Sequence, residues 1–261
     1  LKFLLANTSD FDPAVDTVPV NEMLEIDRYA MSRFAQLQAE VLAHYQVYEF
    51  HPVVAKLQVY CSDDLGSFYL DILKDRLYTT APKSKARRSA QTALHQISQA
   101  LLRLMAPFLS FTAEEAWQVV GKSESIFMET YATFDAPDEA LLAKWSRIRE
   151  IRDMANKEIE TLRAAGTVGS SLQTNLTLEV NAEDHALLSS LGADLKFVFI
   201  TSVINLIAAQ ATNTMATASN DIKCERCWHY CADVGSDAAH PTICGRCSSN
   251  LYGAGEVRTV A

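Results

Sequence analysis

The sequence predicts a mainly α-helical protein, in which a helical bundle is followed by a small α/β module and a cysteine-rich module. Three observations support this fold class. Apolar residues recur at intervals of three and four through residues 1–165, as on helices with one buried face. After Gly166 apolar and polar residues alternate, which is typical of a half-buried strand. Two Cys-x-x-Cys pairs occur after residue 220.

Long helices with short connections pack against their neighbours, so residues 1–165 are expected to form a bundle. The main predicted helices cover residues 21–48, 52–78, 85–107 and 138–165. The stretch Asp63–Gly66 predicts a break or kink in the second of them. Thr112 and Glu115 have the spacing of a capping box that begins a short helix. Asp138 is expected to cap the last helix at its start, and Gly166 to end it.

The second region predicts strands at 174–180 and 203–209 and a short helix at 184–190. Periodicity does not decide whether residues 196–201 form a helix or a strand, because the apolar run is too short. Residues 210–219 are small and polar, which is typical of a linker. The predicted boundaries are a helical bundle at 1–165, an α/β module at 166–209, a linker at 210–220 and a cysteine-rich module at 221–261.

The two Cys-x-x-Cys pairs have the spacing of a structural zinc site with four thiolate ligands. The candidate ligands are Cys224, Cys227, Cys244 and Cys247. A pair of disulfides, or buried thiols without a metal, is the alternative. His229, Cys231 and His240 lie close enough in sequence to substitute as ligands. Four thiolates leave no open position for water, so a structural role is expected and not a catalytic one.

Charge restricts the classes of partner. The net charge of −9 argues against a general nucleic-acid coat protein, so any contact with nucleic acid must be local. Residues 74–88 form one such basic segment, with six basic residues and the single acid Asp75. Phosphate groups would suit these cations, whereas the alternative is an ordinary solvated run of charge. The basic residues are Lys74, Arg76, Lys83, Lys85, Arg87 and Arg88.

Trp228 directly follows the first cysteine pair and its neighbour His229 precedes a tyrosine. An exposed indole beside Arg226 and Arg246 would be able to stack on an unpaired base. Alternatively, Trp228 packs on the neighbouring module as an apolar anchor. No catalytic constellation is recognised in the sequence: it has no phosphate-binding glycine loop and no Gly-x-Ser-x-Gly elbow.

The sequence shows no signal peptide and no apolar run of eighteen residues or more. Six cysteines, four of them in metal spacing, fit a reducing cytosol, so a cytoplasmic protein with no membrane contact is expected. The chain begins at Leu1 in a stretch that resembles the interior of a helix. We therefore expect it to be a piece of a longer polypeptide.

Several stretches together resemble the C-terminal part of bacterial isoleucyl-tRNA synthetases, which are class Ia enzymes. The bundle is also similar to that of the valyl, leucyl, methionyl and cysteinyl enzymes, and the cysteine module is the most specific part. The stretches that carry the resemblance are Leu1–Asn7, Asp10–Pro13, Phe68–Tyr78, Ala86–Leu94, Met105–Glu115, Cys224–Tyr230 and Ile243–Cys247.

The resemblance implies an anticodon-binding bundle and a zinc module that together bind the anticodon stem-loop of tRNA(Ile). It implies a parent enzyme that charges this tRNA with isoleucine using ATP, in a catalytic domain of the same polypeptide. The His-Ile-Gly-His and Lys-Met-Ser-Lys-Ser signatures of that domain are absent from this sequence. We therefore expect the fragment to be catalytically inactive on its own. Separately, we expect it to be a monomer. It also implies one structural Zn²⁺, with Cys224, Cys227, Cys244 and Cys247 as its ligands.

Two other functions stay open at this point. One is a zinc-ribbon module that docks on a protein partner, which would expose an apolar patch instead of a basic one. The other is the corresponding region of another class Ia synthetase.

Overall fold

The structure is a computed structural model that describes residues 1–121 and 123–261. By their internal contacts, residues 1–71 and 88–142 form one compact unit, and residues 72–87 and 143–261 form another. The predicted fold class is confirmed, because most of the chain is helical and the strands all lie in the second unit. The helices are α1 (Lys2–Ala6), α2 (Glu25–Gln46), α3 (Phe50–Val59), α4 (Leu70–Thr79), α5 (Lys85–Met105), α6 (Ser110–Val119), α7 (Glu139–Ala164), α8 (Ala182–Ser189), α9 (Leu195–Phe199) and α10 (Gly245–Tyr252). The strands are β1 (Thr174–Val180), β2 (Val203–Ala208), β3 (Asn213–Ala218), β4 (Ile222–Lys223) and β5 (Tyr230–Cys231).

The first unit has the buried helix faces that the apolar spacing predicts. On α2, Ile26, Phe34 and Val41 are fully buried, and on α5 the same holds for Leu94 and Ile97. Burying such a side chain contributes roughly 1.5–3 kcal/mol, so these faces hold the unit together. The predicted face of the first helix was wrong at its end, since Tyr48 lies beyond α2 and is 82% exposed.

The predicted break at Asp63–Gly66 is a change of helix type. Residues Tyr60–Tyr69 form a π-helical segment that joins α3 to α4. Wider turns of this kind accommodate an inserted residue without ending the helix. A Cβ at Gly66 would lie 3.0 Å from the carbonyl oxygen of Cys61, so glycine permits the close approach of the two turns.

The predicted capping box at Thr112 was wrong. Helix α6 begins at Ser110, so Thr112 lies inside the first turn and does not precede it. Glu114 instead accepts hydrogen bonds from the Ser125 hydroxyl and the Ile126 backbone N–H, both at 2.9 Å. Glu114 therefore connects α6 to Ser125 and Ile126 of the following segment.

Helix α7 has the two ends that the sequence predicts. The Asp138 carboxylate accepts a hydrogen bond from the Leu141 N–H at 2.9 Å. At the other end Gly166 has φ +70°, and Thr167 N–H donates to the Leu162 carbonyl at 3.0 Å. A left-handed residue there favours glycine, which has no Cβ to clash.

Asp138→Ala is expected to lower the free energy of unfolding by about 1 kcal/mol, because an N–H of the first turn of α7 loses its acceptor. Thermal or urea unfolding measures the change. Asp153→Ala is the matched control, since Asp153 is an exposed acid in the middle of the same helix. An equal loss of stability in both variants would contradict the capping role.

The second unit contains a three-stranded sheet in the order β2–β1–β3. Strand β1 pairs in parallel with β2 and antiparallel with β3. Leu176, Leu178 and Val180 are fully buried and alternate with half-buried residues, as the sequence predicts. The sequence left open whether residues 196–201 form a helix or a strand. In the structure they begin within helix α9, after which Ile200 adopts φ +54°.

The predicted linker at 210–219 was wrong as a description of its structure, because residues Asn213–Ala218 form β3. The strand covers the second edge of β1, with Leu176 opposite Ala216 and Thr177 opposite Met215. Its small polar composition concealed this role because an edge strand gains its stability from backbone hydrogen bonds to its neighbour.

Among the described helices, none combines the length and hydropathy needed to cross a membrane.

Candidate metal centre and nucleic-acid interface

Two short turns bring the four predicted cysteine ligands together. The first turn lies between β4 and β5, in which Ile222 pairs with Cys231. The Trp228 N–H closes this turn by donating to the Cys224 carbonyl at 2.9 Å. The second turn leads into α10, with Cys244 at the helix cap. All four cysteines are buried, and their sulfur atoms lie within 4.8 Å of one another.

The geometry fits a tetrahedral zinc ion. Zn–S bonds of about 2.3 Å in a tetrahedron place neighbouring sulfur atoms about 3.8 Å apart. The Cys227 and Cys244 sulfurs are 3.8 Å apart, which is far longer than a disulfide bond. The Cys244 backbone N–H also points at the Cys224 sulfur, 3.3 Å away, as suits a thiolate. None of the six cysteines, all of which the structure describes, forms a disulfide, so the disulfide alternative is not found.

The three neighbouring candidates have other positions. His229 is buried, its Nδ1 lies 3.3 Å from the Cys227 carbonyl oxygen, and burial lowers its pKa to about 4. His240 stacks on Tyr252 with ring centroids 3.9 Å apart. Cys231 is not one of the four clustered cysteines, although its sulfur forms a second group with the Cys244 sulfur and an oxygen of Asp233.

Two arginines of the cysteine turns contact helix α4 within the second unit. Arg226 donates to the carbonyl oxygens of Thr79 at 2.5 Å and Tyr78 at 3.3 Å. It thereby supplies donors to the C-terminal end of α4, where carbonyl groups have no partner within the helix and cations are favoured. Arg246 donates through both terminal nitrogens to the Asp75 carboxylate, at 2.8 Å each.

Asp75 is the centre of this network. Arg258 also donates to Asp75, at 2.5 Å, and both Arg246 and Arg258 reach Glu256. The two guanidinium groups lie against the Phe197 ring, with centroid distances of 5.0 Å for Arg246 and 3.2 Å for Arg258. Although burial alone would raise the pKa of Asp75, the two arginines hold it well below its usual range. Asp75 is therefore ionised at neutral pH.

The basic segment divides into exposed and internal side chains. Lys74, Lys83 and Lys85 are exposed. Arg76 is 1% exposed, because it lies on the buried face of α4 with Ile72 and Leu73.

Two further arginines of the segment are held by neighbouring groups. Arg87 donates to the Leu77 and Pro82 carbonyl oxygens, at 3.2 Å each. Arg88 belongs to the first unit, where it pairs with Asp16 at 3.2 Å. The structure therefore directs Arg76, Arg87, Arg88, Arg226 and Arg246 towards contacts within the protein, whereas the three lysines are exposed to solvent.

Trp228 is 61% exposed, so the alternative of an anchor packed on the neighbouring module is not found. Its φ of +64° lies in the left-handed region, which is unusual for a bulky residue. The Lys223 amino group lies 5.5 Å from the centre of the indole ring. An aromatic face with a cation beside it suits a nucleobase attached to a phosphate backbone.

Sequence reasoning missed the contributions of Asp75, Lys223 and Arg258. Asp75 had a detectable signal, since it is the one acid in the basic segment and lies one residue before the buried Arg76. Nothing local identifies Arg258, because its partner Asp75 lies 183 residues away in the chain.

Comparison with known proteins supplies two family matches. Residues 27–180 match the family described as the anticodon-binding domain of tRNA ligase, and residues 221–250 match a zinc finger found in FPG and IleRS. Similar curated proteins include isoleucine–tRNA ligase 1 of Burkholderia mallei, which is 57% identical over 267 residues. Others are the isoleucine–tRNA ligases of Bordetella petrii, 56% identical over 274 residues, and Cupriavidus taiwanensis, 55% identical over 270. Each match covers the whole chain but only 28–29% of the relative's length.

Proposed function

Because this chain belongs to the family of tRNA-ligase anticodon-binding domains, we propose that it is the tRNA-binding part of an isoleucine–tRNA ligase. The whole enzyme would charge tRNA(Ile) with isoleucine using ATP, in a catalytic domain of the same cytoplasmic polypeptide. The names of the relatives support isoleucine as the amino acid. The fragment would be a monomer that binds the anticodon stem-loop without performing the reaction.

We propose a structural zinc ion at the four-cysteine centre. The matched zinc-finger family and the buried cluster of sulfur atoms support this metal. When bound, zinc supplies a rigid cross-link between the two turns, and no open position for chemistry. The proposed ligands are Cys224, Cys227, Cys244 and Cys247.

We propose that the RNA contacts come from the three exposed lysines of the basic segment and from Trp228. The observation that carries this proposal is the solvent exposure of these four side chains. Single-stranded loops are bound by stacking on aromatic rings and by cations along the backbone. The anticodon loop of a tRNA offers both unstacked bases and phosphates. The contact residues are Lys74, Lys83, Lys85 and Trp228.

The double substitution Lys83→Ala, Lys85→Ala tests the proposal. We expect weaker binding of tRNA(Ile) and a shallower dependence of log K on log salt, by roughly 1.4–1.8, because each phosphate contact contributes about 0.7–0.9 to that slope. Thermal stability should not change, since both side chains are exposed. Binding is measured by fluorescence titration between about 50 and about 200 mM salt.

Lys157→Ala is the matched control, because Lys157 is an exposed lysine on α7 in the same unit. It should leave both affinity and slope unchanged. If the wild-type fragment binds tRNA(Ile) no better than an unrelated tRNA and without salt dependence, the proposed function fails and protein docking is favoured.

A further inference from the structure

The zinc turns are joined to helix α4 by charged contacts that reach far along the chain. Arg246, which lies between the ligands Cys244 and Cys247, forms a two-bond ion pair with Asp75. Arg226, between Cys224 and Cys227, donates to the last carbonyls of α4. The cysteine turns thus contact α4 at its side and at its end.

The C-terminal segment adds a second attachment to the same helix. Arg258 donates to Asp75 of α4. The same segment is also held at the start of α9, where the Asp194 carboxylate accepts hydrogen bonds from the backbone N–H groups of Thr259 and Val260, at 2.9 and 2.8 Å. Gly255 approaches the turn after α4, where a Cβ built on it would lie 3.5 Å from the Ala81 side chain. Asp75 is therefore the carboxylate on which the zinc turns and the C-terminal segment meet.

The proposed RNA-binding lysines directly follow this attachment. The chain leaves α4 at Thr79, and a short turn closed by Ser84 N–H donating to the Ala81 carbonyl at 3.0 Å leads into α5. Lys83 lies in this turn and Lys85 begins α5. The end of α4 therefore sets, through this short turn, where the backbone of Lys83 and Lys85 lies.

We propose that Asp75 is a positioning residue for tRNA binding, which connects the zinc turns and the C-terminal segment to α4 and so holds Lys83 and Lys85 in their binding geometry. This inference rests on the proposed function. Asp75 does not touch the RNA itself, because its carboxylate is enclosed by Arg246 and Arg258. Its role is to make the zinc module and the lysines one rigid RNA-binding element.

Asp75→Asn is the decisive variant. It keeps the size of the side chain but removes the charge, and Arg246 and Arg258 keep Glu256 as a partner, so the fold should persist. We expect an increase of at least about tenfold in the Kd for tRNA(Ile), and a salt slope that is shallower by about one to two, since the lysines no longer reach their phosphates together. Asp75→Glu, which keeps the carboxylate, should restore part of the affinity.

Asp184→Asn is the matched control. Asp184 is another buried carboxylate of the same unit, and Arg147 donates to it through two bonds at 2.8 and 2.7 Å. The side-chain partners of this pair are Glu150 and Asn181, which lie outside the basic segment. The variant should lower the melting temperature but leave the Kd and the salt slope unchanged. The comparison thus separates a general loss of stability, which lowers only the melting temperature, from a loss of positioning, which changes the Kd and the salt slope.

Hydrogen exchange of the amides at 80–87 provides a readout without RNA. It should accelerate in Asp75→Asn and stay unchanged in Asp184→Asn. Zinc content should remain at one ion per chain, and loss of zinc from Asp75→Asn would overturn the proposal, because Asp75 would then act on the metal centre. Wild-type Kd and slope in Asp75→Asn would also overturn it. Failure of the wild-type protein to bind tRNA would instead refute the proposed function.

Discussion

Cys244→Ser is expected to remove zinc and unfold the module at 221–255, while the helices of the first unit stay folded. The module has two strands of two residues and one helix of eight, which is too little buried structure to fold alone. Zinc binding at such sites contributes roughly 10–16 kcal/mol, and here this is folding free energy. Losing one of the four thiolates weakens zinc binding and so lowers this contribution.

Atomic absorption would measure the zinc content, and limited proteolysis would locate the unfolded segment. Circular dichroism at 222 nm should decrease only slightly, since α10 is a small part of the helical content. Cys61→Ser is the matched control, because Cys61 is an exposed thiol of the first unit and should keep the metal.

Full zinc retention in Cys244→Ser would contradict this expectation and point to Cys231, whose sulfur groups with that of Cys244 and an oxygen of Asp233. The double substitution with Cys231→Ser would then identify the replacement ligand. Melting of the first unit together with the module would show that the two units unfold as one.

Trp228→Gly is expected to weaken tRNA binding by about 5- to 150-fold without destabilising the fold. Stacking of a base on an aromatic side chain contributes about 1–3 kcal/mol, and each 1.4 kcal/mol is a factor of about ten. The exposed indole contributes little packing, and a left-handed backbone disfavours any residue with a Cβ. Glycine should therefore leave the free energy of unfolding unchanged or raise it by up to ~1 kcal/mol.

Tyr48→Gly is the matched control for both effects. Tyr48 is also an exposed aromatic residue in the left-handed region, with φ +59° and 82% exposure, but it belongs to the first unit. It should show the same small effect on stability and no effect on affinity. Isothermal titration with tRNA(Ile) and thermal unfolding measure the two quantities. A Trp228→Gly variant that binds with wild-type affinity would remove the indole from the proposed interface.

A strained backbone at an exposed aromatic residue fits a functional position. Such conformations persist where the surrounding structure holds them, and they cluster at binding sites. Here the first cysteine turn holds Trp228, because its backbone N–H closes that turn on the Cys224 carbonyl. The metal centre would thus present the indole to a base as well as stabilise the module.

Regular helices were predictable because their signals are local. The apolar spacing of α2 and α5, the Asp138 cap and Gly166 all depend on residues within a few positions of one another. The prediction of a capping box at Thr112 was wrong because that short motif is common and does not fix where a helix begins. The contacts made in this region are less local, since Glu114 accepts hydrogen bonds from Ser125 and Ile126. Strand β3 was missed because its partner β1 lies about forty residues earlier.

The sequence by itself determined the four-sulfur centre, since Cys-x-x-Cys turns dictate their own geometry and only the meeting of the two turns is non-local. It also determined where positive charge accumulates in an acidic chain. Only the tertiary structure decided which cations face solvent. Arg246 and Asp75 are 171 residues apart, and their pairing depends on how the zinc turns pack against α4. Within the basic segment the fold turns Arg87 to backbone carbonyls and Arg88 to Asp16 while the lysines stay exposed, because a charge that loses solvent must find a partner within the protein.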